Sequence, residues 1–131
     1  MSLSFTKRSR FAKHARRKHG ERNKTEAEYE AYLTALYHAG QIDGFKFEGI
    51  TLKLADNTRF TPDFIVFAAD GVVELHDTKG TTKKTRSNGE KEAVPWIEED
   101  ANIKLKVCAD QWPFRVFAVF KTKEGWQRKA F

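Results

Sequence analysis

Apolar positions along this chain follow two different periods. From Thr25 to Ala39 they recur at Tyr29, Tyr32, Leu33, Leu36 and Tyr37, the three-and-four spacing of a helix that turns one face to a core, and Gly40 stops the pattern. Thr25 is positioned to cap this helix, with Glu28 three residues on completing a Thr-x-x-Glu capping box. At about 100° per residue Glu28 falls on the opposite face, whereas Glu26 lies at the edge of the stripe of Tyr29, Leu33 and Tyr37 and leans inward. Three strand-like runs follow: Phe45 to Leu54, closed by Ala55-Asp56-Asn57; Arg59 to Phe67; and Val72 to Lys79, reached through an Ala69-Asp70-Gly71 turn. Turns this short predict an antiparallel meander. Gly80 to Pro95 has the composition of a polar loop. A second helix is expected from about Trp96 to Gln111, with Ile97, Ala101, Leu105 and Cys108 on one face and Trp112-Pro113 ending it. Phe114 to Phe120 is almost continuously apolar, as a strand covered on both faces would be.

Helix, three strands, helix, strand is an α+β (α/β) order, and 131 residues suit a single folded domain. Charge divides the chain further. Residues 1–24 hold nine Lys or Arg and one acid, Glu21, whereas residues 25–131 hold fifteen against seventeen, so a basic arm of +8 precedes a body of −2. An arm of this kind tracks phosphates and adds salt-dependent affinity. Its candidate DNA contacts are Lys7, Arg8, Arg10, Lys13, Arg16, Arg17, Lys18 and Arg22, joined by Lys83, Lys84 and Arg86 in the polar loop; the other use of such an arm is as a solubilising tail. The single cysteine, Cys108, excludes an intramolecular disulfide and any multi-cysteine zinc site. No apolar run reaches the length of about 18 residues that a membrane span needs, and no apolar segment follows the N-terminal charges, so a cytoplasmic protein without membrane contact is expected.

Two acidic segments carry the chemistry: Thr61-Pro62-Asp63-Phe64 and His76-Asp77-Thr78-Lys79-Gly80. Side chains on a strand alternate faces, so Asp77 and Lys79 point to the same side. A carboxylate able to hold a hard divalent cation, beside an ammonium able to meet a phosphate or a water, is what hydrolysis of a nucleic-acid backbone requires. His76 points the other way and reads as structural or surface, and His14, His19 and His38 have no metal-ligand spacing.

The order of elements, Pro62-Asp63 in the second strand, Asp77-x-Lys79 ending the third and an acid on the first helix together resemble the PD-(D/E)XK nuclease superfamily. More narrowly, Lys24-Thr25-Glu26-Ala27, the Asp63 and Asp77 segments, and Ala101-Asn102-Ile103-Lys104-Leu105-Lys106-Val107 resemble the motifs of a group of small phage-encoded endonucleases. The resemblance covers about Lys24 to Lys121 and leaves the arm outside. It implies a restriction-endonuclease-like αβββαβ core around a mixed four-stranded sheet. It also implies that Asp63 and Asp77 bind Mg²⁺ or Mn²⁺, that Glu26 completes the acidic cluster directly or through water, and that the Thr78 carbonyl is a further ligand. Lys79 would orient or help deprotonate the attacking water and stabilise charge on phosphorus. Lys104 is a further candidate DNA contact, Lys106 reads as solvated, and Gln111 could approach the site. This chain has Asp77 where relatives often have Glu, and Thr78 replaces an apolar residue at a position expected to face away from the site.

The implied activity is metal-dependent hydrolysis of DNA phosphodiester bonds. Small size and a basic arm without a visible specificity domain favour recognition of structure, such as branched DNA or Holliday junctions in phage recombination or replication, by a homodimer. Two other classes stay open: a catalytically silent DNA-binding protein on a nuclease fold, and a non-enzymatic interaction protein. Metal-dependent cleavage separates them.

Overall fold

The computed structural model describes residues 21–131. Helix α1 spans Lys24–His38 and buries Tyr29 and Leu33. Its cap is Asn23, not Thr25. The Asn23 side chain accepts from the Glu26 N–H at 2.7 Å, and Glu26 Oε1 accepts from the Asn23 N–H at 2.8 Å. Both pairs have the x-x-Glu spacing of a capping box, and Asn is the stronger cap, so the helix starts two residues earlier than Thr25 would start it.

The first expected strand is two. β1 (Ile42–Phe47) joins the main sheet, and β2 (Leu52–Ala55) leaves it to pair with β3 (Thr58–Phe60) as a separate hairpin. The break falls at Glu48, whose φ is +49°, and at Gly49, where a Cβ would come within 2.9 Å of Ile65 Cγ2. The second expected strand is also interrupted. Pro62 cannot donate to a ladder, and β4 (Phe64–Ala68) begins after Asp63. β5 (Val73–Thr78) follows, and β1, β4 and β5 pair antiparallel as the short turns predict.

Gly80 to Pro95 is not a loop. It holds an antiparallel hairpin of β6 (Thr81–Thr85) and β7 (Lys91–Pro95). All five residues of β6 are exposed, so the strand carries no apolar alternation by which a sequence would reveal it. Helix α2 spans Glu99–Gln111, three residues shorter at its start than expected, because Glu98 has extended backbone; Ile97 packs on the core from outside the helix. β8 (Arg115–Thr122) runs parallel to β5, and β9 (Gly125–Ala130) adds an antiparallel edge beyond it. The sheet is therefore five-stranded and mixed, in the order β1-β4-β5-β8-β9, rather than four-stranded. β9 hides in the sequence because Trp126 is its only large apolar residue and its last four residues are exposed, as suits an edge.

Each sheet face carries one cluster. Leu52, Leu54, Phe60, Ile65, Leu75, Leu105, Cys108 and Val116 pack where α2 and the β2–β3 hairpin cover the sheet. Tyr29, Leu33, Phe64, Val66, Phe117 and Val119 pack where α1 covers it. Phe64, Ile65 and Val66 alternate between the two, as period two demands. Cys108 is one of the core contacts, and burial pushes its thiol up to about 11, so it packs as a small apolar group.

Candidate active site

Phe64 of β4 pairs with His76 of β5. In an antiparallel ladder, the residue before Phe64 then meets the residue after His76 at the sheet end, so Asp63 lies beside Asp77. The Asp63 N–H donates to Asp77 Oδ1 at 3.1 Å. Asp63 Oδ2 accepts from the Thr78 N–H at 2.8 Å and from Thr78 Oγ1 at 2.7 Å. The two acidic segments are thus joined through both backbone and side chain. Pro62 is fully buried behind them, and the Glu48 N–H holds the Asp63 carbonyl at 2.7 Å. Lys79 Nζ lies 2.9 Å from Asp77 Oδ2, on the shared face that their spacing predicts. Its own N–H donates to the Val119 carbonyl at 2.9 Å and continues the β5–β8 pairing past the end of β5.

Thr78 does not turn away from the site. Alternation along β5 puts its side chain on the sheet face opposite Asp77, yet its Oγ1 donates to Oδ2 of Asp63, which lies just outside β4. The Thr78 hydroxyl is therefore a donor to the acid, and a threonine in place of an apolar residue bears on how Asp63 is held as well as on packing.

Burial raises Asp63 to about 6; the Thr78 bonds pull against this shift, and the neighbouring Glu26 carboxylate adds to it. Asp77 is likewise raised to about 6, by burial first and the Asp63 charge next, with the Lys79 ammonium opposing both. Two carboxylates held together in a desolvated place favour the proton, and a cation shared between them would remove that preference. Glu26, in the first turn of α1, lies near enough to Asp63 for its charge to act on that acid, while its Oε1 closes the cap on Asn23. Among the described residues, no group of three or more His, Cys, Asp and Glu side chains is arranged to hold a metal ion. What the site offers is a sparse set of carboxylate oxygens. That suits Mg²⁺, which keeps several waters, better than an ion needing a closed cage.

The remaining candidates do not converge on the acids. Lys104 Nζ is held by the Arg59 carbonyl at 3.3 Å, and Lys106 and Gln111 are exposed on α2. Lys83 and Lys84 stand exposed on β6, and Arg86 pairs with Glu92 at 3.0 Å. Arg22 pairs with Glu30 at 2.6 Å and lies over the Phe47 ring at 4.3 Å. Lys7, Arg8, Arg10, Lys13, Arg16, Arg17 and Lys18 lie outside the described residues. Of the two readings of His76, burial excludes the surface one: Nδ1 meets the Tyr29 hydroxyl and Nε2 lies 2.9 Å from Glu74 Oε1.

Glu74 was not among the expected site residues. Buried and bonded to His76, it also receives Arg115 Nη1 at 3.2 Å and helps line a cavity of about 530 Å³ beside α1. The His76 bond holds its carboxyl below the usual range despite burial. The alternation of Glu74, His76 and Thr78 along β5 is the signal that could have found it.

Comparison with protein-family models, curated proteins and solved structures finds no match for this chain.

Proposed function

We propose that the chain is a divalent-metal-dependent endonuclease that hydrolyses DNA phosphodiester bonds and selects branched structure, acting as a symmetric dimer. The observation that carries the reading is the junction of Asp63, Asp77 and Lys79 at one end of the sheet, with 2.9 Å between the lysine and the acid. This is the constellation that the resemblance to PD-(D/E)XK nucleases implies, and a restriction-endonuclease-like core is the finer fold assignment that goes with it.

Asp63 and Asp77 would hold Mg²⁺ or Mn²⁺, with Glu26 joining through water. When bound, the cation would supply Lewis-acid polarisation of the phosphate and acidify a water. Lys79 presents an ammonium that can donate to a non-bridging phosphate oxygen and orient the attacking water for in-line displacement. Asp77 fixes that ammonium, and Thr78 fixes Asp63 through two hydrogen bonds, so neither acid has to be repositioned when substrate arrives. Affinity for a polyanion comes from the basic arm and the hairpin lysines, groups suited to contacting phosphates rather than base edges, which favours selection by shape.

The test is incubation of the full chain with plasmid, linear duplex and a synthetic four-way junction in Mg²⁺, Mn²⁺ or EDTA. Cleavage in either metal and none in EDTA, with the junction preferred, is expected. DNA binding with no cleavage in any metal would replace this reading with that of a silent DNA-binding protein.

A further inference from the structure

In the β2–β3 hairpin, Lys53 stands directly opposite Arg59. Directly opposed residues of an antiparallel pair share a face, and the neighbouring pair, Leu52 and Phe60, is buried on the other one. Two cations are thus held side by side on the outer face of the hairpin, a placement that lowers stability. Little relieves it. Lys53 Nζ reaches Asp56 Oδ1 at 3.2 Å, but the Asp56 side chain is 94% exposed, so water weakens the pair. Among the described residues, the Arg59 guanidinium meets no acid and no acceptor. A third positive charge adds to the imbalance, because Lys104 Nζ of α2 donates to the Arg59 carbonyl at 3.3 Å.

A second observation is where this hairpin lies. Leu52, Leu54 and Phe60 pack with Leu75 of β5, and Asp77, two residues further along that strand, points to the same sheet face as Leu75. The hairpin therefore covers the side of the sheet that carries Asp77 and Lys79. Its base is tied by the bond between Thr51 Oγ1 and Thr61 Oγ1 at 2.6 Å, immediately before the buried Pro62 that leads to Asp63. Asp63 follows Arg59 by four positions, at most about 14 Å of extended chain. At about 3.4 Å of axis per nucleotide on one strand, that reach spans about four nucleotides.

Opposed cations that the protein leaves unneutralised, on a firmly based hairpin beside the candidate site, have the charge that a phosphate backbone needs. A phosphate seated against Lys53 and Arg59 turns their repulsion into attraction, and the guanidinium fork can meet two phosphate oxygens at once. We propose that the outer face of the β2–β3 hairpin, through Arg59 and Lys53, binds the nucleic-acid backbone within about four nucleotides of the scissile phosphate. Contacts of this kind fix position and carry no sequence information. The near-neutral body then has a phosphate anchor of its own, separate from the basic arm. This inference rests on the nuclease reading of Asp63, Asp77 and Lys79, and extends it from the reacting groups to how the substrate is placed.

Fluorescence anisotropy in EDTA reads this contact without cleavage. The proteins are the full chain, Arg59→Gln, the double variant Lys53→Gln with Arg59→Gln, and Lys129→Gln, which removes one charge from β9 at the opposite edge of the sheet from β1. The probes are a labelled four-way junction, a labelled duplex and labelled polyglutamate. Arg59→Gln should weaken binding to both DNAs and flatten the salt slope by about one, and the double variant by about two; Lys129→Gln should leave the slope unchanged. An unchanged slope in the double variant overturns the proposal, as does an equal loss in Lys129→Gln, which would mean that only net charge is felt. Arg59-dependent binding of polyglutamate but not of DNA overturns it too, in favour of an acidic protein partner. Thermal melts separate this role from a structural one. With the opposed charge gone, Arg59→Gln should melt at or above the parent in low salt, any gain fading in about 1 M salt; a lower melting temperature makes Arg59 a structural residue and overturns the proposal. Cleavage in Mg²⁺ or Mn²⁺ is scored separately: Arg59-dependent DNA binding without cleavage by the full chain sinks the endonuclease reading and leaves the phosphate contact, whereas cleavage with unchanged binding by the double variant does the reverse.

Discussion

Asp63 and Asp77 concentrate like charge that their burial makes costly, and this fixes how stability should depend on pH. Both have folded values raised to about 6 from an ordinary carboxylate value of 3.8. Between those values the folded state binds more protons than the unfolded state, so stability falls as pH rises through this window and stays low above it. Asp77→Asn keeps an oxygen that can accept the Asp63 N–H and removes the charge. It should melt higher than the parent above pH 6, lose that advantage below about pH 4, and abolish cleavage; thermal melts across pH check it. Mg²⁺ should raise the parent's melting temperature above pH 6 and leave Asp77→Asn unmoved, because only a binder of the folded state stabilises it. Lys79→Ala should slow saturated cleavage by about 10²–10⁴-fold, the range lost with a positioned proton-transfer group, while that Mg²⁺-induced rise in melting temperature persists. Glu26 separates its two roles by substitution. Glu26→Gln can still accept the Asn23 N–H and should keep the helix, whereas Glu26→Ala loses half the capping box and about 1 kcal/mol in urea unfolding.

At the scale of elements, what the sequence disclosed follows from which residues see the core. The stripe of Tyr29 and Leu33, the alternation in β4 and β5 and the apolar run of β8 are forced by burial, so their periods survive in the amino acids. The β6–β7 hairpin and β9 touch little of the core, and no such constraint marks them. Asp77 and Lys79 were legible as a pair because period two alone aligns them. The bond from Thr78 to Asp63 was not, because it depends on where β4 begins relative to Pro62. Gly49 is a sharper case. A Cβ there would sit 2.9 Å from both Ile65 Cγ2 and Lys46 Cβ, so Gly49→Ala must push the β1–β2 corner off β4. A loss of about 1–3 kcal/mol is expected, the usual cost of forcing a methyl into a packed place. The adjacent Glu48 N–H positions the Asp63 carbonyl, so cleavage should fall with stability; urea unfolding and single-turnover rates on one preparation measure both.

For the whole molecule, the decisive asymmetry is between a basic arm and a near-neutral body that contains every acid and lysine of the candidate site. Residues 1–20 hold seven Lys or Arg and no acid, so removing them takes the net charge from +6 to −1. The cut belongs before residue 21, because Arg22 pairs with Glu30 and covers Phe47, and Asn23 caps α1; a deeper truncation would disturb the fold and confuse the result. If the arm's cations neutralise phosphates, its removal should weaken DNA binding and flatten the slope of log affinity against log salt by up to about six on duplex, near 0.9 for each phosphate no longer neutralised. Interactions made equally with bound substrate and transition state change affinity without changing the saturated rate. The truncated protein at saturating DNA should therefore cut nearly as fast as the full chain. Titrations at two salt concentrations paired with single-turnover rates decide the matter: an unchanged slope makes the arm a passive tail, and a collapsed saturated rate puts it in the active site.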